Sequence, residues 1–354
     1  MTNVKEAMES CKPYLIMTFS LLLVAIYMAL LQVVLDPSRG IDAIVLFVYE
    51  STISAVVLSS LAFIVERGRR PKLSFTVVLW ALLIGCLQVP LGQLMMVASL
   101  RYVTAKFQSV ALNTTPVVVF VVAVVCRRES FRFLSVNGQA KLWGVLISAT
   151  GALFMVIESS KESSSSAESN GSLSANGLWI LGGLMNGLAV LATTSGTLLV
   201  EKVSMTYPAI LTLTAMINVF GTALTAIAAV LMERKPSSWK ITWSPNLQLI
   251  TIFYGGIAVT GGTFWGNIWC IHKKGPVFTM AFFPLLIVFS FLLEAIITGS
   301  IFHLGSNLSG ALLVVGGLYV LLWAKSKDEK KARSITREQG ALQDKSNIEP
   351  LLPN

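Results

Sequence analysis

Residues 113–131 read NTTPVVVFVVAVVCRRESF, and residues 281–302 read AFFPLLIVFSFLLEAIITGSIF. Each string sets a proline near the head of a long apolar run. Each then leads to a glycine-bearing run, LWGVLISATGALFMV from Leu142 and LSGALLVVGGLYVLL from Leu308. Pro116 corresponds to Pro284. Gly144 and Gly151 correspond to Gly310 and Gly317, and both pairs stand seven residues apart. Seven residues is two helical turns, so each pair lies on one helix face, where small residues let helices approach closely.

Outward from these strings, the chain resolves into apolar segments. About 20 mostly apolar residues are needed to cross the hydrocarbon core as a helix. Ten segments qualify, at residues 13–35, 42–65, 77–100, 105–126, 140–157, 177–200, 207–232, 247–270, 275–297 and 308–323. Backbone polar groups find no water in lipid, so each segment is expected to be helical. The two copies begin five segments apart. Five is odd, so the second copy is inserted in the opposite sense. The expected fold is an all-α membrane protein of ten transmembrane helices in two inverted five-helix repeats. Such repeats supply inward-open and outward-open states from one architecture. The divisions are residues 1–157, a serine-rich linker at 158–176 (ESSKESSSSAESNGSLSAN), residues 177–325, and a basic tail at 326–354. The linker's composition predicts disorder.

Composition agrees with this reading. The 354 residues are 54% hydrophobic and only 13% charged, with a mean hydropathy of +0.72. A soluble domain carries about a quarter charged residues, so this exterior must face lipid. The net charge of +9 is no sign of nucleic-acid binding, because the basic residues cluster in short loops and the tail. Placing the N-terminus in the cytosol puts most Lys and Arg on cytosolic segments, which predicts both termini there. The linker then lies outside, with Asn170-Gly171-Ser172 as a glycosylation acceptor in form. The four cysteines, Cys11, Cys86, Cys126 and Cys270, read as free thiols. The first apolar segment reads as retained, with no small-residue cleavage site after it.

Longer motifs carry a family resemblance. In order they are Lys12-Pro13-Tyr14, Glu66-Arg67 before RPKLS, Gly92-Gln93, Asn113 with Pro116, and GQAKLWG from Gly138. The second half adds Tyr207-Pro208-Ala209, Glu233-Arg234 with Trp239-Lys240, WCIHKKGPVF from Trp269, and GLYVLLWAK. Together they resemble the plant EamA-type transporters of the drug/metabolite transporter superfamily, in particular the UmamiT or Walls-are-thin-related group. The resemblance spans nearly the whole membrane region. It implies ten helices around a central cavity and facilitated movement of amino acids or, in some members, auxin. The chain departs at Glu50, where members often carry a basic residue, and at Lys106, where most carry a small or hydroxyl one.

Polar groups inside a span are costly and tend to face the bundle interior or a water-filled path. Glu50 and Lys106 have two readings, a buried ion pair or two snorkelling side chains. Glu294 is either a protonatable coupling group or a hydrogen-bonding partner for a neighbouring helix. Asn186, Thr193 and Thr197 share one face of the sixth segment, suiting either a cavity wall or helix–helix hydrogen bonding. Gln93 follows Gly92 in the third. Asn113, Thr114 and Thr115 precede Pro116 in the fourth. A proline frees the carbonyl four residues earlier, here Leu112, and Pro284 would free Met280. Thr260, Phe264 and Asn267 share a face of the eighth segment beside Trp265, which suits an amphiphilic solute. Trp269 fits an interfacial belt.

No catalytic constellation, metal-ligand set or cofactor motif is present in the sequence. His272 and His303 fall in predicted loops on opposite sides. The expected partners are a small solute and the lipid bilayer. Glu349-Pro350-Leu351-Leu352 resembles a sorting signal that favours a vacuolar membrane over the plasma membrane. Three further readings compete: a nucleotide-sugar or phosphate-ester carrier, a receptor or scaffold, and an intramembrane enzyme. The first lacks an interior basic cluster, the second needs no inverted repeat, and the third lacks paired carboxylates or a histidine at depth.

Overall fold

A computed structural model of the chain describes residues 2–34, 42–68, 71, 73–99, 102–103, 105–127, 135–164, 178–234, 239, 247–298, 309–310 and 312–328. Asn170, His303 and the sorting-like tail lie outside the described residues, and so do the side chains of Lys106, Asn113, Thr114 and Glu294.

The described secondary structure is helical. In chain order the helices are α1 (Thr2–Val34), α2 (Ala43–Glu66), α3 (Phe75–Ser99), α4 (Ala105–Val125), α5 (Val136–Ser164), α6 (Leu178–Thr206), α7 (Ile210–Met232) and α8 (Leu247–Lys274). There follow α9, broken into Pro276–Ala281 and Leu285–Thr298, and α10 at residues 312–328. Seven spans are long and apolar enough to cross a membrane, in α1–α3 and α6–α9; the apolar stretch Thr115–Val125 of α4 is shorter.

Two boundaries differ from expectation. Helix α5 continues past Ile157 to Ser164, into the segment read as a disordered linker. Serine is only modestly unfavourable in a helix, and an established helix propagates readily. Pro116 sits inside a continuous helix, whereas Pro284 lies in the break within α9. The Met280 carbonyl there is not freed. It accepts from the Phe283 amide at 3.1 Å, because the chain tightens into a turn before α9 resumes.

Lipid supplies little hydrophobic drive between helices, so close contact depends on small residues. The glycines of the two repeated strings meet each other. A Cβ on Gly144 would lie 2.9 Å from the Gly317 carbonyl oxygen, and one on Gly151 would lie 2.9 Å from that of Gly310. Thus α5 and α10 cross antiparallel, backbone on backbone. Beside the crossing, buried Lys141 pairs with Asp328 at 2.6 Å, and Asn137 donates to the same carboxylate at 3.0 Å. Gly85 of α3 and Gly221 of α7 make a second close approach, with Gly85's Cβ position 3.0 Å from the Gly221 nitrogen.

Aromatic and aliphatic packing fills the remainder. Met17, Phe120, Cys270, Phe278, Phe282 and Leu321 form one core that joins α1, α4, α8, α9 and α10. A second core joins α3, α6, α7 and α8 around Ile84, Tyr207, Leu213 and Ile268. Large apolar side chains such as Phe75 (82% exposed) and Ile64 (74%) point outward. That distribution fits a lipid-facing exterior rather than a watery one.

Candidate functional site

Among the described residues, and apart from the Lys141–Asp328 contact, hydrogen-bonded polar side chains of the bundle form two seams and a separate Glu50–Tyr27 pair. The first seam lies between α3 and α6. Asn186 is buried and donates through Nδ2 to Ser99 Oγ at 2.7 Å and to the Gly182 carbonyl at 3.2 Å. A Cβ on Gly92 would come within 2.6 Å of Thr193 Oγ1, so Thr193 fits against a bare glycine. Thr197 donates back to the Thr193 carbonyl at 2.7 Å. A hydroxyl in lipid commonly satisfies itself on its own helix in this way. Gln88, one turn before Gly92, is buried against Gly196, and its Oε1 accepts no hydrogen bond among the described residues. The Oδ1 of Asn186 is in the same position. The seam therefore carries two unused acceptors.

Helix α3 is irregular at this seam. Val89–Leu94 winds as a π-helix, opening with Pro90 near its first turn. Gln93 lies within it and is exposed. A π turn arises where one residue too many is accommodated in the hydrogen-bond ladder, and such turns are frequent at functional sites.

Helix α8 carries the second and longer π stretch, Gly255–Thr263. Thr260 lies in it and is half-buried. Phe264, Trp265 and Asn267 follow, all half-buried. Phe264 and Trp265 pack on the α3–α6–α7 core, and Trp265 also touches the cluster of Leu58, Ala62 and Ala215. Trp269 is half-buried against two cores at once, so it packs within the bundle as well as near its end. His272, expected in a loop, lies in the last turn of α8. Pro284 is buried at the α9 break. Among the described residues, no hydrogen bond joins the α6 candidates to those of α8.

The second polar seam joins α2 to α7. Asn218 donates to Ser54 Oγ at 3.1 Å, and Thr222 donates to the Ser51 carbonyl at 3.2 Å. Both ends of this antiparallel pair are fastened. The Glu66 carboxylate accepts from the amides of Leu211 and Thr212 at 3.1 and 2.7 Å, and from Thr212 Oγ1 at 2.6 Å. These amides belong to the first turn of α7, which has no capping side chain of its own. Glu66 supplies the missing cap from another helix, where a negative charge also meets the positive end of the helix dipole. At the opposite end, Tyr49 donates to the Trp239 carbonyl at 2.9 Å, and Trp239 Nε1 donates to the Glu233 carbonyl at 3.1 Å.

Glu50 forms the isolated pair. It is 2% exposed, and Tyr27 of α1 is its hydrogen-bond partner, with the hydroxyl 2.8 Å from Oε1 and 2.7 Å from Oε2. The Lys106 side chain, the other half of the ion-pair reading, lies outside the described residues. The phenol comes from α1, whose spans had been read only as apolar.

Of the residues singled out from sequence, Glu50, Asn186 and Thr193 take part in these contacts; Tyr27, Gln88, Ser99, the α2–α7 seam and the Glu66 cap do so without having been singled out. Ser51 with Ser54, and Asn218 with Thr222, are spaced three and four apart inside apolar runs. That spacing marks one face and was the available signal.

The comparisons with known proteins follow this geometry. Residues 8–157 match the EamA-like transporter family. WAT1-related protein At3g30340 of Arabidopsis thaliana is 30% identical over 85% of this chain and 84% of its own length. WAT1-related protein At1g43650 of the same plant is 32% identical over 84% of this chain and 87% of its own length. A protein of known crystal structure superposes with a TM-score of 0.65 over 88% of this chain and 98% of its own, and at 16% identity this shows a shared fold. With a multi-pass helical bundle and sequence kinship along most of its length, the chain belongs to the plant EamA-type family of the drug/metabolite transporter superfamily, together with the WAT1-related proteins.

Proposed function

We propose that the chain moves amino acids or related small organic solutes across a membrane by alternating access. Ten helices in two inverted repeats of five would rock about a central site. Both termini would be cytosolic, in the plasma or vacuolar membrane. One observation supports this most: the third helix of each proposed half, α3 and α8, carries a π-helical stretch inside its span. Irregular backbone at membrane depth is tolerated where it is enclosed by protein or lines a path. Paired irregular helices in corresponding positions mark solute sites in inverted-repeat transporters. The unused acceptors of Gln88 and Asn186 beside the α3 stretch suit the donor groups of an ammonium or an amide. Indole acids form the alternative solute class, favoured by Phe264 and Trp265 after the α8 stretch.

The test is flux into vesicles reconstituted with the full chain, using labelled L-amino acids in one arm and labelled indole-3-acetate in the other. Saturable flux above empty vesicles is expected in the amino-acid arm. Asn186→Trp should abolish that flux while the protein still elutes as a folded species. Flux in neither arm, or full flux in Asn186→Trp, defeats the reading.

A further inference from the structure

We infer that Glu50 and Tyr27 form a proton-carrying site that couples solute movement to a proton gradient, an inference resting on the transport reading above. Glu50 is the eighth residue of α2, about 11 Å along a helix that rises 1.5 Å per residue. Tyr27 lies inside the Cys11–Leu31 span. The pair therefore sits within the hydrocarbon layer, away from both ends of α2.

The argument begins with hydrogens. Tyr27 has one hydroxyl hydrogen, yet its oxygen is at bonding distance from both carboxyl oxygens, 2.8 and 2.7 Å. A phenol can donate fully to only one of them. If the carboxyl carries a proton, the second contact is satisfied in reverse, with the acid O–H donating to the phenol oxygen. The result is a closed, neutral pair with both short distances explained. A carboxylate would instead leave a bare charge in a buried site, which is costly unless a cation is near. Among the described residues, the groups packed around it supply none. Helix α1 presents Tyr27, α8 presents Tyr254, whose hydroxyl donates to the Leu23 carbonyl at 3.1 Å, and α7 presents the neutral Asn218 and Thr222. The nearby end of α3, Met95–Ser99, has no titratable group.

The site also has a moving part. Gly255 and Gly256, the first residues of the α8 π stretch, form its floor. A Cβ on Gly255 would overlap the Glu50 carboxyl, and one on Gly256 would sit 2.9 Å from the Glu50 carbonyl oxygen. The acid stays dry only while the π stretch is pressed against it. π turns recur at functional sites, and a shift of this one along α8 would change its hydrogen-bond partners and lift it from the acid. Withdrawal of that floor would admit water, let the acid O–H bond break, and release the proton on the side then open. Return would require a proton from the other side. The proton binds and leaves one carboxyl oxygen, and no other bond changes.

Two measurements on the full chain in liposomes test this. In the first, dicyclohexylcarbodiimide, which attacks protonated carboxyls in apolar surroundings, is applied across a pH series and Glu50 is read by mass spectrometry. Labelling that falls as pH rises, and whose midpoint moves in Tyr27→Phe, is expected. Labelling that is absent, or unchanged by pH, overturns the site. In the second, labelled L-glutamine is followed under an imposed gradient. One pH unit at one proton per solute drives accumulation of up to about tenfold. Glu50→Gln should lose accumulation yet exchange label between equal pools faster than empty vesicles. Accumulation that survives Glu50→Gln, or that follows a sodium gradient and ignores pH, overturns the coupling. If the wild-type chain moves neither glutamine nor indole-3-acetate, the transport reading fails, and carbodiimide labelling alone decides the proton site.

Discussion

The π stretches of α3 and α8 are built differently. The α3 stretch spans six residues and contains Pro90 and a single glycine, Gly92. It abuts a threonine side chain that can rotate. The α8 stretch spans nine residues, GGIAVTGGT, and its first glycine abuts a buried acid that cannot move aside without breaking its bonds to Tyr27. The same backbone device thus serves a forgiving seam in one helix and a tightly closed one in the other. A local irregularity takes its meaning from what it presses on.

Alanine at the two glycines breaks this contrast most directly. Gly255→Ala forces Glu50 and Tyr27 apart and should destabilise by about 2–3 kcal/mol, as overpacking does. Gly92→Ala should cost less than about 1 kcal/mol, because Thr193 can turn away and alanine is the better helix former. Thermal unfolding in detergent checks both, and equal losses would erase the distinction. Next in size is Glu66→Ala, which strips the cap from α7 and should cost about 1–2 kcal/mol by the same assay. Tyr49→Phe, at the other end of the α2–α7 pair, removes a single hydrogen bond and should cost about 1 kcal/mol. Smallest is Asn186→Ala. Hydrogen bonds between membrane helices average about 0.6 kcal/mol, so a larger loss would mean that Asn186 does more than tie α6 to α3.

The helices were legible because hydrocarbon thickness imposes a minimum apolar length that few other structures require. The glycine crossing of α5 and α10 was legible as two small faces, though not as a contact between them. The α8 floor was not legible. Gly255-Gly256 and Gly261-Gly262 read equally well as close-packing residues, and no periodicity separates an α turn from a π turn over so few positions. Glu50 announced itself as a charge in lipid, but its partner did not, because charge arithmetic directs attention to Lys106 and passes over a phenol. The α6 stripe was read as a cavity wall or as helix–helix bonding. Asn186 donates to Ser99 and Gly182, and Thr197 bonds back to its own helix, while the Asn186 oxygen accepts no hydrogen bond among the described residues.

The crossing of α5 and α10 has a practical consequence. Backbones that close on each other at Gly144 with Gly317 and at Gly151 with Gly310 leave little compressible side chain between them. Whatever the rest of the bundle does, these two rods should travel as one beam. Spin labels at lipid-exposed Trp143 and Tyr319 would then keep a constant separation and serve as an internal ruler, a fixed datum from which every other displacement in the molecule could be surveyed.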